Sequence, residues 1–150
     1  MSPSILVVDD ERAFLESVEL RLQLEGMTDI TLVEDPTEVA ALVEGRPFDI
    51  ALLDIAMPQL SGLEVLKQIK ERTPETECIM VTASDSIQTV IRAIKSGAYD
   101  YLVKPIVPEQ LSHAIDQALE HKRLLRSLRF RWEPPNESEL DDPEAFTSII

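Results

Sequence analysis

Five short apolar runs alternate with amphipathic stretches along this chain, and this alternation constrains its fold more than any other feature. The runs cover residues 5–8, 30–33, 50–53, 79–81 and 101–103. The stretches between them place apolar residues three and four positions apart, which is the spacing of one helix face. Strands that alternate with helices predict an α/β fold with a parallel sheet. Because the runs are apolar at nearly every position, we expect helices on both faces of the sheet.

Residues with strong positional preferences mark where the predicted helices begin and end. Asp35 before Pro36 is typical of a helix start, since an acidic N-cap precedes a proline at the first helical position. Gly97 stands where a helix would end, because glycine readily adopts the left-handed conformation there. Together with the apolar spacing, these signals predict five helices: over 13–24, from 36 to 45, after 61, after 84–85 as far as 97, and a long one from about 108.

The charge of the chain is strongly negative and unevenly distributed. The 150 residues carry a net charge of −14, with −13 in residues 1–120 and +5 in residues 121–132. Phosphate contacts need a basic face, so we expect no direct binding of nucleic acid. The short basic stretch either contacts an acidic partner or forms a solvated helix face.

The sequence shows neither an export signal nor a membrane span. No apolar run approaches the roughly 20 residues that cross a bilayer, and the N-terminus lacks a basic region followed by an apolar segment. The single cysteine, Cys78, cannot form an internal disulfide and is expected in the core. We therefore predict a cytoplasmic protein without membrane contact.

Residues able to do chemistry follow four of the five predicted strands. They are Asp9, Asp10 and Glu11 after the first strand, Asp54 at the end of the third, Thr82 at the end of the fourth and Lys104 at the end of the fifth. A parallel sheet brings these four ends to one edge, and ligands of such sheets bind beyond the carboxyl ends of the strands. The sequence therefore predicts a site at that edge.

Carboxylates brought together there would repel one another by about 4 kcal/mol per pair at 4 Å and an effective dielectric of 20. A bound cation would offset this repulsion, and oxygen donors without a Cys/His set select Mg²⁺ or Mn²⁺ over Zn²⁺. Lys104 could neutralise a phosphoryl oxygen, Thr82 could donate to another, and Asp54 could form an aspartyl phosphate. Each residue alone has a simpler explanation, such as a helix cap for Asp9 or Asp10. The combination at strand ends points to chemistry.

At these motifs the sequence resembles the receiver domain of two-component response regulators. The matching segments are ILVVDDE (5–11), DIALLDIAMPQLSGLEVL (49–66), IMVTAS (79–84) and GAYDYLVKPI (97–106). The resemblance implies a doubly wound, flavodoxin-like (CheY-like) fold with five parallel strands and five helices, and the fifth helix is predicted from its own sequence to be extended. Residues 1–125 would form the receiver domain, and residues 126–150 would form a linker or tail toward a further domain.

The resemblance also implies a role for each site residue. Asp54 would accept a phosphoryl group from the phosphohistidine of a sensor histidine kinase. Asp10 and Asp54 would bind Mg²⁺ together with the backbone carbonyl of Ala56, and Asp9 would act through a water molecule. Lys104 would hold a phosphoryl oxygen, with a cis peptide bond to the proline that follows it.

Thr82 and Tyr101 resemble the switch pair of this family. Their response to phosphorylation would favour one of two packings of the surface around the fourth helix, the fifth strand and the fifth helix. The alternative for Tyr101 is a half-buried aromatic residue of a strand. Ala56 has no polar side chain to orient an attacking water, so the side chains here and at Ser84 are expected to tune the dephosphorylation rate.

The main functional prediction is a phosphorylatable signalling switch that is not an enzyme beyond slow self-dephosphorylation. One alternative is a dimerising adaptor that acts without phosphate. Another is a phosphohydrolase with an Asp nucleophile and Mg²⁺. Enzymes of the haloacid dehalogenase type carry Asp-x-Asp at the first strand, whereas here the acids are adjacent and the candidate nucleophile follows the third strand, which argues against that alternative.

The fifth helix is predicted to continue beyond the domain. A seam with a spacing of three and four residues runs through Leu111, Ala114, Ala118, His121, Leu125, Leu128 and Trp132. It predicts either a short coiled coil in a homodimer or a long helix packed on its own domain. His113 and His121 are interpreted as surface or seam residues rather than ligands.

The last nine residues, DPEAFTSII, resemble the opening of the ATPase domain in sigma-54-dependent activators of the NtrC type. We therefore expect the receiver and linker of a transcription activator. Because neither a P-loop nor a helix-turn-helix is present in the sequence, this chain is expected neither to hydrolyse ATP nor to bind DNA. The acidic, proline-rich segment 133–144 is predicted to be a linker or disordered tail.

Overall fold

A computed structural model describes residues 2–83 and 86–131, and these contain five strands and five α-helices. The strands are β1 Ser4–Val8, β2 Asp29–Val33, β3 Ile50–Asp54, β4 Glu77–Thr82 and β5 Asp100–Val103. The helices are α1 Arg12–Leu24, α2 Val39–Gly45, α3 Gly62–Arg72, α4 Ile87–Lys95 and α5 Pro108–Arg131. A 3₁₀ turn, Pro36–Glu38, precedes α2, so the helix predicted from residue 36 begins in the tighter form.

The five strands form one parallel sheet in the order β2-β1-β3-β4-β5. Successive residues of β1 enter opposite cores: Leu6 and Val8 pack into one cluster with α2 and α3, while Ile5 and Val7 pack into the other with α1 and α5. Both faces of the sheet are thus covered, which explains why the strands are apolar at consecutive positions. The predicted doubly wound fold is confirmed. The described helices include none whose length and hydropathy would let it cross a membrane.

The predicted end of α4 is confirmed in detail. Gly97 has a φ of +108°, in the left-handed region. Its N–H donates to the Ile94 carbonyl at 3.1 Å, and the Ala98 N–H donates to the Ala93 carbonyl at 3.0 Å. This pair of bonds is a Schellman motif, and it satisfies carbonyl oxygens that the end of a helix leaves without partners. The residues predicted to cap the start of α4, 84–85, lie outside the described part of the chain.

The seam of α5 is divided between two environments. Leu111, Ala114 and Ala118 are buried in the core of their own domain, whereas Leu125 and Leu128 are 44% and 62% exposed. This difference in burial arises because α5 is longer than the sheet: its 24 residues span about 36 Å, whereas the six residues of β4 span only about 20 Å. The first half of the seam therefore belongs to the domain and the second half extends past the sheet. Trp132 and the segment 133–150 lie outside the described residues.

Candidate functional site

Three carboxylates meet at the carboxyl edge of the sheet. Asp9 and Asp10 follow β1, Asp54 ends β3, and one carboxylate oxygen from each lies within 4.8 Å of the others. Asp9 is fully buried and Asp54 is 5% exposed, while Asp10 faces solvent. The backbone orients Asp9, whose Oδ1 accepts a hydrogen bond from the Glu11 N–H at 2.8 Å. The strand-end acids predicted from the sequence are thus brought together.

Lys104 provides the positive charge of the site. Its Nζ lies 2.8 Å from Asp9 Oδ2 and 3.9 Å from Asp54 Oδ2, and 4.3 Å from the centroid of the Phe14 ring. Burial lowers the pKa of this lysine, but the hydrogen bond and the charge of Asp9 outweigh burial, so its pKa lies above the ordinary value. The backbone N–H of Lys104 donates to the Thr82 carbonyl at 2.8 Å. The peptide bond between Lys104 and Pro105 is cis, as predicted.

The environment of Asp54 disfavours its charged form. Burial is the largest cause and the negative charge of Asp9 adds to it, while Lys104 and the Ala56 N–H oppose them, and the balance raises the pKa of Asp54 to about 6. Asp54 Oδ1 lies 3.4 Å from the Ala56 nitrogen, its backbone donor. A cation or a bound cationic group would favour the ionised carboxylate at this position.

The donor set fits a hard divalent cation. Three carboxylate oxygens converge without sulfur or imidazole, which suits Mg²⁺ or Mn²⁺. Mg²⁺ retains several waters and takes one or two carboxylates plus phosphate oxygens, and the exposed Asp10 leaves one side open for them. Within residues 2–83 and 86–131, this is the one group of three acidic, histidine or cysteine side chains close enough to share a metal ion.

The two residues predicted to form a switch, Thr82 and Tyr101, lie on the neighbouring strands β4 and β5. Thr82 is buried at the end of β4, next to Val81, which pairs with Asp54 across the sheet. Tyr101 lies on β5, where it pairs with Met80 of β4, and its side chain is 39% exposed. The roles of both in a switch, and that of the Ala56 carbonyl toward a metal, stay predictions.

Gly62 is a site residue that the sequence analysis missed. It opens α3, and its N–H donates to the Ile55 carbonyl at 3.0 Å. A Cβ atom at this position would lie 2.1 Å from the carbonyl oxygen of Asp54. The helix can therefore approach the end of β3 only because residue 62 lacks a side chain. The φ of Gly62 lies outside the left-handed region, so turn preferences give no signal for this requirement.

Comparison with known proteins agrees with this geometry. The profile of the response regulator receiver domain family matches residues 5–116. Since that match covers well over half of the sequence, the chain belongs to the family of response regulator receiver domains. The crystal structure of a CheY-like receiver domain protein from Methanospirillum hungatei JF-1 is similar at a TM-score of 0.78 and 31% identity, covering 82% of this chain and 98% of that one.

Two longer proteins contain a similar region. The alginate biosynthesis transcriptional regulatory protein AlgB of Pseudomonas aeruginosa is 37% identical over 124 residues, which is 83% of this chain and 27% of AlgB. The crystal structure of NtrX from Brucella abortus aligns at a TM-score of 0.80 and 33% identity over 86% of this chain and 29% of NtrX. The chain thus spans little more than a quarter of these relatives.

Proposed function

We propose that this protein is a phosphorylation switch in which Asp54 accepts a phosphoryl group from a sensor histidine kinase. The observation that carries the proposal is the convergence of three carboxylates and Lys104 at one sheet edge. In the transfer, the N–P bond of the donor phosphohistidine breaks and a bond forms between phosphorus and Asp54 Oδ2 or Oδ1. Lys104 Nζ lies 3.9 Å from Asp54 Oδ2, which is close enough for it to contact a phosphoryl oxygen on that carboxylate.

The surrounding residues have distinct tasks in this proposal. Asp9 orients Lys104, which neutralises charge on the phosphoryl oxygens. Asp10 and Asp54, with the Ala56 carbonyl, would hold Mg²⁺, and Asp9 would contact it through water. A bound ion would neutralise negative charge on the acceptor carboxylate and on the phosphoryl oxygens. The carbonyl of buried Thr82 accepts a hydrogen bond from the Lys104 N–H at 2.8 Å, which links the ends of β4 and β5 beside the site.

Phosphorylation adds charge and acceptor oxygens beside Thr82 and Lys104. We propose that the response of Thr82 and Tyr101 selects between two packings of the α4-β5-α5 surface, which then controls dimerisation or a downstream output domain. Similarity to AlgB and NtrX supports an output in transcription regulation of the NtrC-type, sigma-54-dependent class. That assignment concerns a longer protein, of which this chain resembles about a quarter.

The proposal is tested by the intact mass of the protein after incubation with acetyl phosphate and Mg²⁺. Wild type should gain one phosphoryl group, and Asp54→Asn should gain none. The matched control is Asp116→Asn on the exposed side of α5, which should gain phosphate as wild type does. Phosphate gain by Asp54→Asn would mean that another residue is the acceptor. If wild type gained none from acetyl phosphate or from a phosphorylated kinase, the adaptor alternative would replace the switch.

A further inference from the structure

Three cationic side chains line one groove between α3 and α4. They are Lys67, Arg92 and Lys95, and the groove, which has a volume of about 230 Å³, also contacts Glu64 and Ser96. All three cations are exposed, and within residues 2–83 and 86–131 none forms an ion pair. The other described arginine and lysine side chains have partners: Lys70 donates to two carbonyl oxygens, and the rest form ion pairs.

This concentration of unpaired positive charge is unusual in a chain that carries 28 acidic and 14 basic residues. With acids in twofold excess, most exposed cations find a neighbour, as the other arginines do here. The helix dipole favours Arg92 and Lys95 in the last turn of α4. It gives no reason for Lys67, which lies in the middle of α3. The three together create a positive groove on a negative molecule, which attracts an acidic ligand.

We propose that the groove binds the acidic segment 133–144 of the same chain. This segment, EPPNESELDDPE, carries six acidic residues and no basic one, and it begins two residues after the last residue of α5. An extended chain covers about 3.3 Å per residue, so the thirteen residues from Trp132 to Glu144 reach at most about 43 Å beyond Arg131. The radius of gyration expected for a domain of this size is about 14 Å. Because this corresponds to a sphere about 36 Å across, the distal acids of the segment, Asp141, Asp142 and Glu144, are the ones that reach the opposite face of the domain.

Covalent connection makes weak contacts sufficient for this docking. Single ion pairs at an exposed surface contribute little, but the acidic segment is present at a high effective concentration because α5 tethers it. The interaction is electrostatic and should weaken as salt shortens the screening length from about 8 Å at 0.15 M to about 3 Å at 1 M. The prolines of the segment favour an extended form that can lie along a groove.

Docking would place the segment against α4, because Arg92 and Lys95 belong to that helix. The residues that lead toward an output domain would then contact an element of the α4-β5-α5 surface and respond to its position. This regulatory consequence rests on the proposed function, whereas the docking itself does not.

The test compares amide NMR spectra of the full chain with those of three variants. The tail variant replaces the six acidic residues of 133–144 by their amides. The groove variant carries Lys67→Gln, Arg92→Gln and Lys95→Gln. The control variant carries Arg123→Gln and Arg126→Gln, which removes charge from the nearest competing basic stretch. All three variants retain Asp54 and its neighbours, so phosphoryl uptake can be measured on each of them as a separate experiment. Failure of the docking proposal can therefore be distinguished from failure of the proposed phosphorylation switch.

We expect the tail variant to shift amide signals of 63–67 and 92–96 relative to wild type, and the difference to vanish in high salt. In the groove variant the signals of 133–144 should move to the positions seen in high salt, and in the control variant they should not. Shifts confined to 122–131 would mean that the segment contacts α5 instead and would overturn the proposal. Shifts that depend on protein concentration would assign the contact to a second copy, and the absence of any shift would exclude docking.

Discussion

Asp54 is held by the fold in an environment that opposes its own ionisation. Its pKa of about 6 lies above the ordinary value of 3.8, chiefly because of burial and then because of Asp9. A carboxyl whose pKa is higher in the folded than in the unfolded protein stabilises the fold below the unfolded pKa. That stability is lost as the pH rises through the folded value. An ionised Asp54 therefore destabilises the metal-free protein at neutral pH.

Replacing Asp54 by Asn should consequently stabilise the metal-free protein in a pH-dependent way. We expect a gain in the free energy of unfolding of up to roughly 3 kcal/mol at pH 7.5, which shrinks as the pH falls toward 4. Urea denaturation at pH 4.5 and 7.5 in the presence of a chelator measures the gain. Asp116→Asn on α5 serves as the control and should show no such pH dependence. An equal gain at both pH values would contradict the raised pKa.

Gly62 sets a second requirement at the level of single residues. Gly62→Ala places a Cβ atom 2.1 Å from the carbonyl oxygen of Asp54, so either α3 or the end of β3 must shift. We expect a loss of about 1–3 kcal/mol of stability or more, together with slower phosphoryl uptake. Thermal unfolding and intact-mass kinetics check the two effects.

Gly45→Ala is the matched control for this substitution. Gly45 ends α2 and has open space where a Cβ would lie. Since alanine favours a helix over glycine by about 1 kcal/mol at most, this variant should be neutral or slightly stabilised. If Gly62→Ala were as well tolerated as Gly45→Ala, the close approach of α3 to β3 would not be required for the fold.

At the level of elements, α5 is anchored to the edge of the sheet opposite the acidic site. His121 Nδ1 lies 2.7 Å from Glu77 Oε2 at the start of β4, and the His121 ring packs against Tyr99 at 4.9 Å between centroids. Lys122 Nζ lies 2.8 Å from Asp49 Oδ1 just before β3. These contacts fix the helix at the point where it leaves the domain, and they give the seam residue His121 a partner in Glu77.

Lys122→Met should reveal the strength of this anchor. Lys122 is buried and Asp49 is partly buried, so loss of the cation leaves a carboxylate without its main partner. Burial raises the pKa of Asp49, but hydrogen bonds from Lys122 and Ser4 outweigh it and lower the pKa. We expect a loss of about 1–3 kcal/mol and faster hydrogen exchange in the second half of α5.

Arg123→Met provides the comparison on the same helix. Arg123 pairs with Glu120 one turn away at an exposed position, and such pairs contribute little. Its loss should leave unfolding and hydrogen exchange as in wild type. If both variants behaved alike, the contact to Asp49 would not anchor the helix.

The sequence predicted the features of the fold and the site that follow from local residue preferences and from the parallel arrangement of the strands. Parallel strands have their carboxyl ends on one edge of the sheet, so the sequence alone predicted that Asp9, Asp54 and Lys104 lie close together. The cis bond before Pro105 came from the family resemblance, since general preferences favour trans. The end of α4 at Gly97 could be predicted because the left-handed backbone conformation favours glycine.

Other features depend on distances that no local pattern encodes. The pairs Glu77–His121 and Asp49–Lys122 join residues 44 and 73 positions apart. Gly62 is required by the approach of two backbones and not by its own φ. The seam of α5 has one spacing throughout, and only the length of the sheet decides that Ala118 is buried and Leu128 is exposed.

For the whole molecule, the apolar surface of α4 and β5 is the expected site of self-association. Large apolar side chains are exposed on both elements, namely Ile87, Ile91, Ile94, Tyr101 and Val103. Exposed apolar surface of this kind marks interaction sites. Ile91→Glu should weaken association by about tenfold or more in whichever phosphorylation state the protein associates.

Analytical ultracentrifugation with and without acetyl phosphate measures this effect. Leu24→Glu is the matched control, because Leu24 on α1 is 75% exposed and lies outside the α4-β5-α5 surface. It should associate as wild type does. Weakening by Leu24→Glu with no effect of Ile91→Glu would place the interface on another face.

The burial pattern of α4 has a consequence for how a signal could cross the molecule. Of its nine residues only Ala93 is buried, whereas α3 buries Gly62, Val65, Leu66 and Ile69. Detaching α4 therefore exposes little apolar surface and costs far less than detaching α3. In the proposed switch, the hydrogen bonds that a phosphoryl group makes at the sheet edge, each contributing about 1.5–3 kcal/mol, would act on a helix that little buried apolar surface holds in place. In the proposed switch, one covalent group would therefore re-seat α4 while the buried packing of α3 stays intact.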